Sequence, residues 1–264
     1  MGSSRLPGKV LLDIAGKPML QRVVERTRRA RFVDEVVVAT TLDPSDDPVA
    51  VFSDSKAFPL TRGSLHDVLD RYYQALKIHQ ADVVVRITAD CPLIDPELID
   101  RTIALVMDGR PLNTVDFAAN RLPPPFTRTF PIGLDVEVCS FAALERAWRE
   151  STEIFHREHV MPYIYEGARL ALLTPELAEG SSQRDFKIAQ LHNAINYGSL
   201  RWTVDTPEDL EFIRQVFARL DDKDEFTWQD VLAVIQKEPG LSDINSGVRH
   251  KMMTEVDERA KLIK

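Results

Sequence analysis

Short β-branched runs alternate with amphipathic helical stretches over the first hundred residues. EVVVATT (35–41), FPLTRGS (58–64) and DVVVRITAD (82–90) read as strands. Each is too short for a helix and rich in residues that suit a buried pleated surface. Between and around them lie stretches with helical spacing: KPMLQRVVERTRRAR (17–31), LHDVLDRYYQALKIH (65–79) and LIDRTIALVMD. Strand–helix alternation predicts an α/β fold, a mostly parallel sheet covered by helices on both faces. Ligands of such sheets bind outside the carboxyl ends of the strands.

The alternation lapses near residue 111 and returns at LRWTVD (200–205). Between them come a short strand, DFAAN, and a proline-rich cationic loop, RLPPPFTRTFPIG. A strand, LDVEVCS, follows, with a helix over 140–150, a helical HREHVMPYIYEG and a strand RLALLT. Residues 175–199 are weakly patterned and read as loop. The expected organisation is a nucleotide-binding half over 1–110 and a smaller peripheral lobe over 111–199. Residues 200–240 would return to the core and end in helices, with 241–264 as a tail. TEVDERAKLIK in that tail reads as helix or disorder.

Thirty-three Lys and Arg against 41 Asp and Glu leave a net charge of −8. That balance argues against a nucleic-acid groove, though not against a local cationic pocket. The two cysteines, Cys91 and Cys139, form no CxxC. They read as reduced cytosolic thiols, which points to the cytoplasm. No apolar run approaches the length of a membrane span.

Asp90 and Asp205 each end an apolar strand, VVVRITAD and RWTVD. Capping a helix is the ordinary job of such an aspartate. Here Asp95 before Pro96 and Thr206 before Pro207 already hold the cap positions, with Asp209 as the acidic partner of Thr206. Two spare carboxylates at a ligand edge suit Mg²⁺, which binds through one or two carboxylates plus substrate phosphates. Upstream, MGSSRLPGKVLLDIAGK sets Arg5 and Lys9 in a loop of Gly2, Ser3, Ser4, Pro7 and Gly8. Backbone N–H groups, hydroxyls and two cations could cradle a polyphosphate, although this is not the P-loop spacing and an ordinary turn reads the same way. In the middle region Arg128 and Arg157 could hold a carboxylate by bidentate hydrogen bonds, near Asp135, Glu137, Glu158 and His159. A metal on His156 and His159 lacks a third ligand at suitable spacing.

GSSRLPGK resembles the GS-x-RLPGK signature of the cytidylyltransferases that activate acidic sugars. The resemblance runs from Gly2 to about Asn245. It is nearest the spore coat polysaccharide biosynthesis branch, and similar to acylneuraminate and 3-deoxy-manno-octulosonate cytidylyltransferases. It implies a Rossmann-like nucleotidyltransferase fold and transfer of CMP from CTP to a 2-keto sugar acid for surface polysaccharide or glycan assembly. TADCPL and VDTPEDL match the segments that supply the family's metal-binding aspartates, so Asp90 and Asp205 would hold Mg²⁺. Arg5, Lys9, Ser3 and Ser4 would contact the triphosphate. Arg62, Gly63, Ser64 and Asp67 would line the cytosine and ribose pocket, unless they only form a well-capped βα turn. CTP and a small acidic sugar are the expected partners, with a homodimer as an open question. In the family an apolar strand and an arginine precede the loop; this chain begins at Met1, inside the signature. The expectation is a sheet lacking its first strand, with a slot between 35–41 and 82–90, and a poorly soluble or inactive chain. A different acceptor or nucleotide, or an inactive nucleotide-binding remnant, are the alternatives.

Overall fold

The computed structural model describes residues 1–107 and 115–249. The 110/111 boundary and the TEVDERAKLIK segment lie outside the described residues. In chain order the elements begin with the hairpin β1 (Asp13–Ile14) and β2 (Lys17–Pro18), then α1 (Met19–Thr27), β3 (Val38–Thr41), α2 (Asp47–Ser55) and β4 (Leu60–Gly63). Next come α3 (Val68–His79), β5 (Val83–Arg86), α4 (Pro96–Met107), β6 (Phe117–Ala119), β7 (Glu137–Ser140) and α5 (Phe141–Glu150). The chain continues with α6 (Ile154–His159), α7 (Pro162–Tyr165), β8 (Arg169–Thr174), β9 (Leu177–Ser181), β10 (Lys187–Leu191), α8 (Pro207–Arg219) and α9 (Trp228–Lys237).

Helix starts follow the local chemistry. Ser140 caps α5, and Thr206 with Asp209 closes a capping box on α8, as does Thr227 with Asp230 on α9. Asp95 accepts the Leu98 N–H at 2.9 Å and the Trp228 N–H at 2.8 Å, so one carboxylate serves two helix starts.

The sheet corrects the expectation of mostly parallel pairing. A six-stranded mixed sheet has the order β5-β7-β6-β10-β9-β8, and β3 and β4 form a separate parallel pair. Within the larger sheet only β6 and β10 run parallel. β3 and β5, on either side of the slot expected between 35–41 and 82–90, do not pair with each other; among the described residues β3 pairs with β4 and β5 with β7. A cleft of about 690 Å³ separates them. The sheet is also continuous across the chain's two halves, since β6, β7 and β10 join β5.

Two segments differ from their sequence reading. Residues 175–199 carry β9 and the interior strand β10, not a loop. Their partners, β8 and β6, supply the pairing that their own short pattern does not announce. LRWTVD is not a strand: Arg201 makes one isolated parallel bridge with Ile132. Trp202 and Val204 are nonetheless buried, 1% and 0% exposed, which is why the run looks strand-like. Gly133 lies flush against this segment at φ +104°; a Cβ there would meet the Thr203 nitrogen at 2.5 Å. Gly198 lies as close to the Arg128 carbonyl oxygen, at 2.3 Å from an added Cβ.

The main core packs α4, α8 and α9 around Phe130, Trp202, Phe212 and Phe217. A second core lies under α3 and α5, and a third, smaller one joins α1 to β3.

Candidate active site

Asp90 lies just beyond β5 and Asp205 just before α8, and both carboxylates reach one cation. Lys9 Nζ donates to Asp90 Oδ2 at 2.8 Å, to Asp205 Oδ1 at 2.9 Å and to the Val204 carbonyl oxygen at 2.8 Å. Lys9 opens a single 3₁₀ turn, Lys9–Leu11, behind Gly8 in the left-handed region at φ 70°. Glycine adopts that conformation without steric cost, which lets the loop fold back so that the Gly8 N–H donates to the Met1 carbonyl at 3.1 Å.

Further cations complete the cluster. Arg5 Nη2 lies 3.0 Å from Asp205 Oδ2, and Arg201 Nη2 donates to the same oxygen at 2.8 Å. Arg201 in turn grips Asp209, through Nε and Nη2 at 2.8 Å each. On the other side, Thr88 Oγ1 donates to Asp90 Oδ1 at 2.6 Å. Burial opposes ionisation of Asp205, but Lys9 and then Arg201 and Arg5 outweigh it and bring its pKa down to about 2. Burial likewise works against the Lys9 ammonium, and Asp90 and Asp205 more than offset it, so its pKa is raised. The site is a partly buried network of acidic and basic side chains that alternate in contact.

This donor set fits Mg²⁺. Two carboxylates already converge on one positive charge, the Lys9 ammonium, and the one soft atom beside them, Cys91 Sγ, is engaged with Asp90 Oδ1 at 3.6 Å and Thr88 Oγ1 at 3.2 Å. Among the described residues no group of three or more His, Cys, Asp or Glu side chains forms a metal cage. A pair of carboxylates, with remaining oxygens left to phosphate and water, is how Mg²⁺ is usually held.

The other residues singled out in the sequence fall into three places. In the loop, Ser3 Oγ accepts the Leu6 N–H at 3.3 Å, and Ser4 is exposed. Beyond β3, Arg62 Nε donates to the Thr41 carbonyl at 2.7 Å and Nη2 to Asp47 at 2.7 Å. Ser64 Oγ accepts the Asp67 N–H at 3.0 Å, and Asp67 caps α3 by accepting the Asp70 N–H at 2.9 Å. Gly63 packs against Arg71, whose Cγ would sit 3.1 Å from an added Cβ. The βα-turn reading therefore describes these contacts.

The third group, from the middle of the chain, is paired. Arg128 forks onto both oxygens of Asp135, with Nη2 at 2.9 Å from Oδ2. Arg157 Nε donates to Asp67 at 2.9 Å and Nη1 to the Trp148 carbonyl at 2.7 Å. Glu137 binds Arg86, and His159 lies within the field of that pair; burial holds its pKa below the ordinary histidine value. Glu158 is half-buried beside it. Burial first, then the charges of Asp90 and Asp135, push up the Cys91 thiol.

Sequence reasoning missed Arg201 and Thr88. Arg201 was visible in principle: it stands four residues before Asp205 and eight before Asp209, within RWTVDTPED.

Residues 1–230 match the family model for cytidylyltransferases. An uncharacterised protein of Methanocaldococcus jannaschii is 33% identical over 259 residues, covering 97% of this chain and 96% of that one. The spore coat polysaccharide biosynthesis protein SpsF of Bacillus subtilis is 28% identical, covering 90% and 92%. A solved cytidylyltransferase from Leptospira borgpetersenii superposes with a TM-score of 0.79 at 30% identity, covering 95% of each chain. The solved CMP:2-keto-3-deoxy-manno-octonic acid synthetase with CTP shares the fold, with a TM-score of 0.56 at 21% identity over 83% of this chain and 95% of that one. This chain belongs to the cytidylyltransferase family.

Proposed function

We propose that the protein transfers CMP from CTP to a hydroxyl of an acidic 2-keto sugar and releases pyrophosphate, supplying an activated sugar for surface polysaccharide or glycan assembly. The acceptor oxygen forms a bond to the α-phosphorus, the bond from that phosphorus to the bridging oxygen of pyrophosphate breaks, and the hydroxyl proton passes to water. The observation that carries this reading is the Lys9 ammonium shared between Asp90 and Asp205, with Arg5 alongside. Positioning and charge stabilisation do most of the work in phosphoryl and nucleotidyl transfer. Lys9 and Arg5 would bind triphosphate oxygens by charge-assisted hydrogen bonds. Thr88 orients Asp90, and Arg201 with Asp209 orients Asp205. Mg²⁺, when bound, would be held by Asp90 and Asp205 and would neutralise charge developing on the phosphates.

The test is pyrophosphate release from each of the four nucleoside triphosphates against a panel of 2-keto sugar acids. Release from CTP alone, and only with a 2-keto acid present, is the expected result. Equal rates with all four triphosphates would overturn the nucleotide assignment. One observation favours a different acceptor: Arg128 and Arg157 already hold carboxylates of this chain, Asp135 and Asp67. Sugar phosphates and neutral sugars in the same panel separate the two readings.

A further inference from the structure

The turn that follows α9 reaches back to the site. Pro239–Asp243 forms one 3₁₀ segment packed against α8 and α9, and Leu241 and Ile244 fasten it to the main core. The next residue, Asn245, is 5% exposed. Its Nδ2 donates to the Arg201 carbonyl at 3.1 Å and to Asp209 Oδ1 at 3.0 Å. Burying a primary amide is costly unless its hydrogens find acceptors. Here both go to the two residues that hold Asp205.

Asp209 takes more hydrogen bonds than a helix start requires. As the third residue of α8 it closes the capping box by accepting the Thr206 N–H at 3.1 Å. Its Oδ2 also accepts the Asp205 N–H at 2.9 Å and Arg201 Nη2 at 2.8 Å, while Oδ1 accepts Arg201 Nε at 2.8 Å and the Asn245 amide. Arg201, Asp205 and Thr206 all belong to the stretch that leads into α8. Their bonds fix Asp209 only relative to its own neighbours. Among the described residues, Asn245 is the donor to Asp209 that comes from another part of the chain. Arg201 Nη2 then bridges Asp209 Oδ2 and Asp205 Oδ2, so the orientation of one carboxylate is passed to the other. The turn also stands at the site itself. Ile244, Gly247 and Val248 line a cavity of about 550 Å³ whose lining includes Arg5 and Thr206.

We propose that Asn245 is a positioning residue: through Asp209 and Arg201 it sets the direction of the Asp205 carboxylate, and so ties the order of the turn after α9 to the reaction. Its amide is spent on the protein and not on substrate. The role in turnover rests on the nucleotidyl-transfer reading, whereas the hold on Asp205 does not. Partners one step removed from a metal-binding carboxylate typically contribute about 10–100-fold to metal affinity or activity.

The experiment compares the full chain with Asn245→Leu, which keeps the size of the side chain and removes its donors. Asn245→Ala takes its place if the leucine variant does not fold. Amide hydrogen exchange, read without any substrate, should be at least about 10-fold faster at Asp205 and Thr206 and unchanged at residues 213–217, farther along α8. Pyrophosphate release from CTP, measured per folded molecule, should show kcat lower by about 10-fold or more, with the KM for CTP within about twofold of the parent. A merely structural asparagine would lower the melting temperature and leave kcat alone. Exchange at Asp205 and Thr206 equal to that of the parent would overturn the proposal, whatever the substrate. An unchanged kcat in a protein whose parent turns over CTP would overturn it too. A parent that releases no pyrophosphate from CTP would remove the nucleotide reading instead, and exchange would then decide the hold on Asp205.

Discussion

Two clusters of buried positive charge, one on α1 and one in the loop ahead of the β1–β2 hairpin, are built differently. Arg22 and Arg26 are fully buried. Backbone carbonyls take most of their donors: Arg22 donates to those of Ile14, Ala15 and Asp222, and also to the buried Asp224 carboxylate at 2.9 Å, and Arg26 to those of Ile94, Asp224 and Phe226. Their guanidinium planes also cover the rings of Phe217 and Phe226, at 4.4 and 3.8 Å. Lys9, in the loop before α1, is held by two carboxylates and one carbonyl, and its side chain keeps 13% of its exposure. Carbonyl oxygens are fixed by the fold and cannot leave without unfolding it. Carboxylates at a solvent-facing edge can exchange one cation for another. The first cluster therefore ties the C-terminal helices to α1, and the second is the one suited to an anionic substrate and its metal.

The sharpest way to break this contrast is to remove a cation from the closed cluster. Arg26→Met should cost about 3–5 kcal/mol of stability, because three buried carbonyls lose their donor. Denaturant melts measure it, and turnover per folded molecule should stay unchanged. A loss under about 1 kcal/mol would mean that the cluster is as exchangeable as the other. Asp90→Asn should act in the opposite sense. Turnover should fall by about 10²–10³-fold, the scale of one preorganised charge contact, while the melt shifts little. A variant that retains wild-type rates at low Mg²⁺ would remove Asp90 from the site.

Acid probes the same cluster. The Asp205 pKa is depressed from 3.8 to about 2 in the folded chain, so its ionised form favours folding. That contribution is fully present above about pH 4 and is lost as pH falls through 2; a shift of this size is on the order of 2 kcal/mol. Comparing melts at pH 5 and pH 2 for the parent and Asp205→Asn isolates it, and an identical acid slope in both proteins would show that other groups carry the loss. The smallest effect is expected at Arg128→Ala. Its pair with Asp135 is partly exposed, so stability should change by less than about 1 kcal/mol. The KM for an acidic acceptor should rise several-fold, and an unchanged KM would assign Arg128 to Asp135 alone.

Much of this site was legible because local rules leave a remainder. Asp95 and Thr206 occupy the caps beside their prolines, and the structure confirms both, which is why Asp90 and Asp205 stood out. What local rules cannot reach is long-range pairing. Lys187–Leu191 becomes an interior strand only through Phe117–Ala119, some seventy residues earlier. Nothing local in the helix marks Arg22 and Arg26 as buried. Their partners near residues 222–226 are about 200 positions away, and no window on the helix contains them. LRWTVD has the composition of a strand, yet its neighbour is the irregular backbone at Ile132 and Gly133, which offers a single bridge.

The close approach at Gly133 and Gly198 has a mechanical consequence. The proline-rich loop lies against the segment that carries Asp205 at two points, with the Ile132 N–H on the Leu200 carbonyl and the Trp202 N–H on the Ile132 carbonyl between them. Backbone in such contact moves as one piece. Residues 128–133 therefore cannot swing over the site as a hinged cover while Asp205 stays still; any displacement of the loop drags the aspartate with it. The loop stands as a fixed wall beside the segment that carries Asp205.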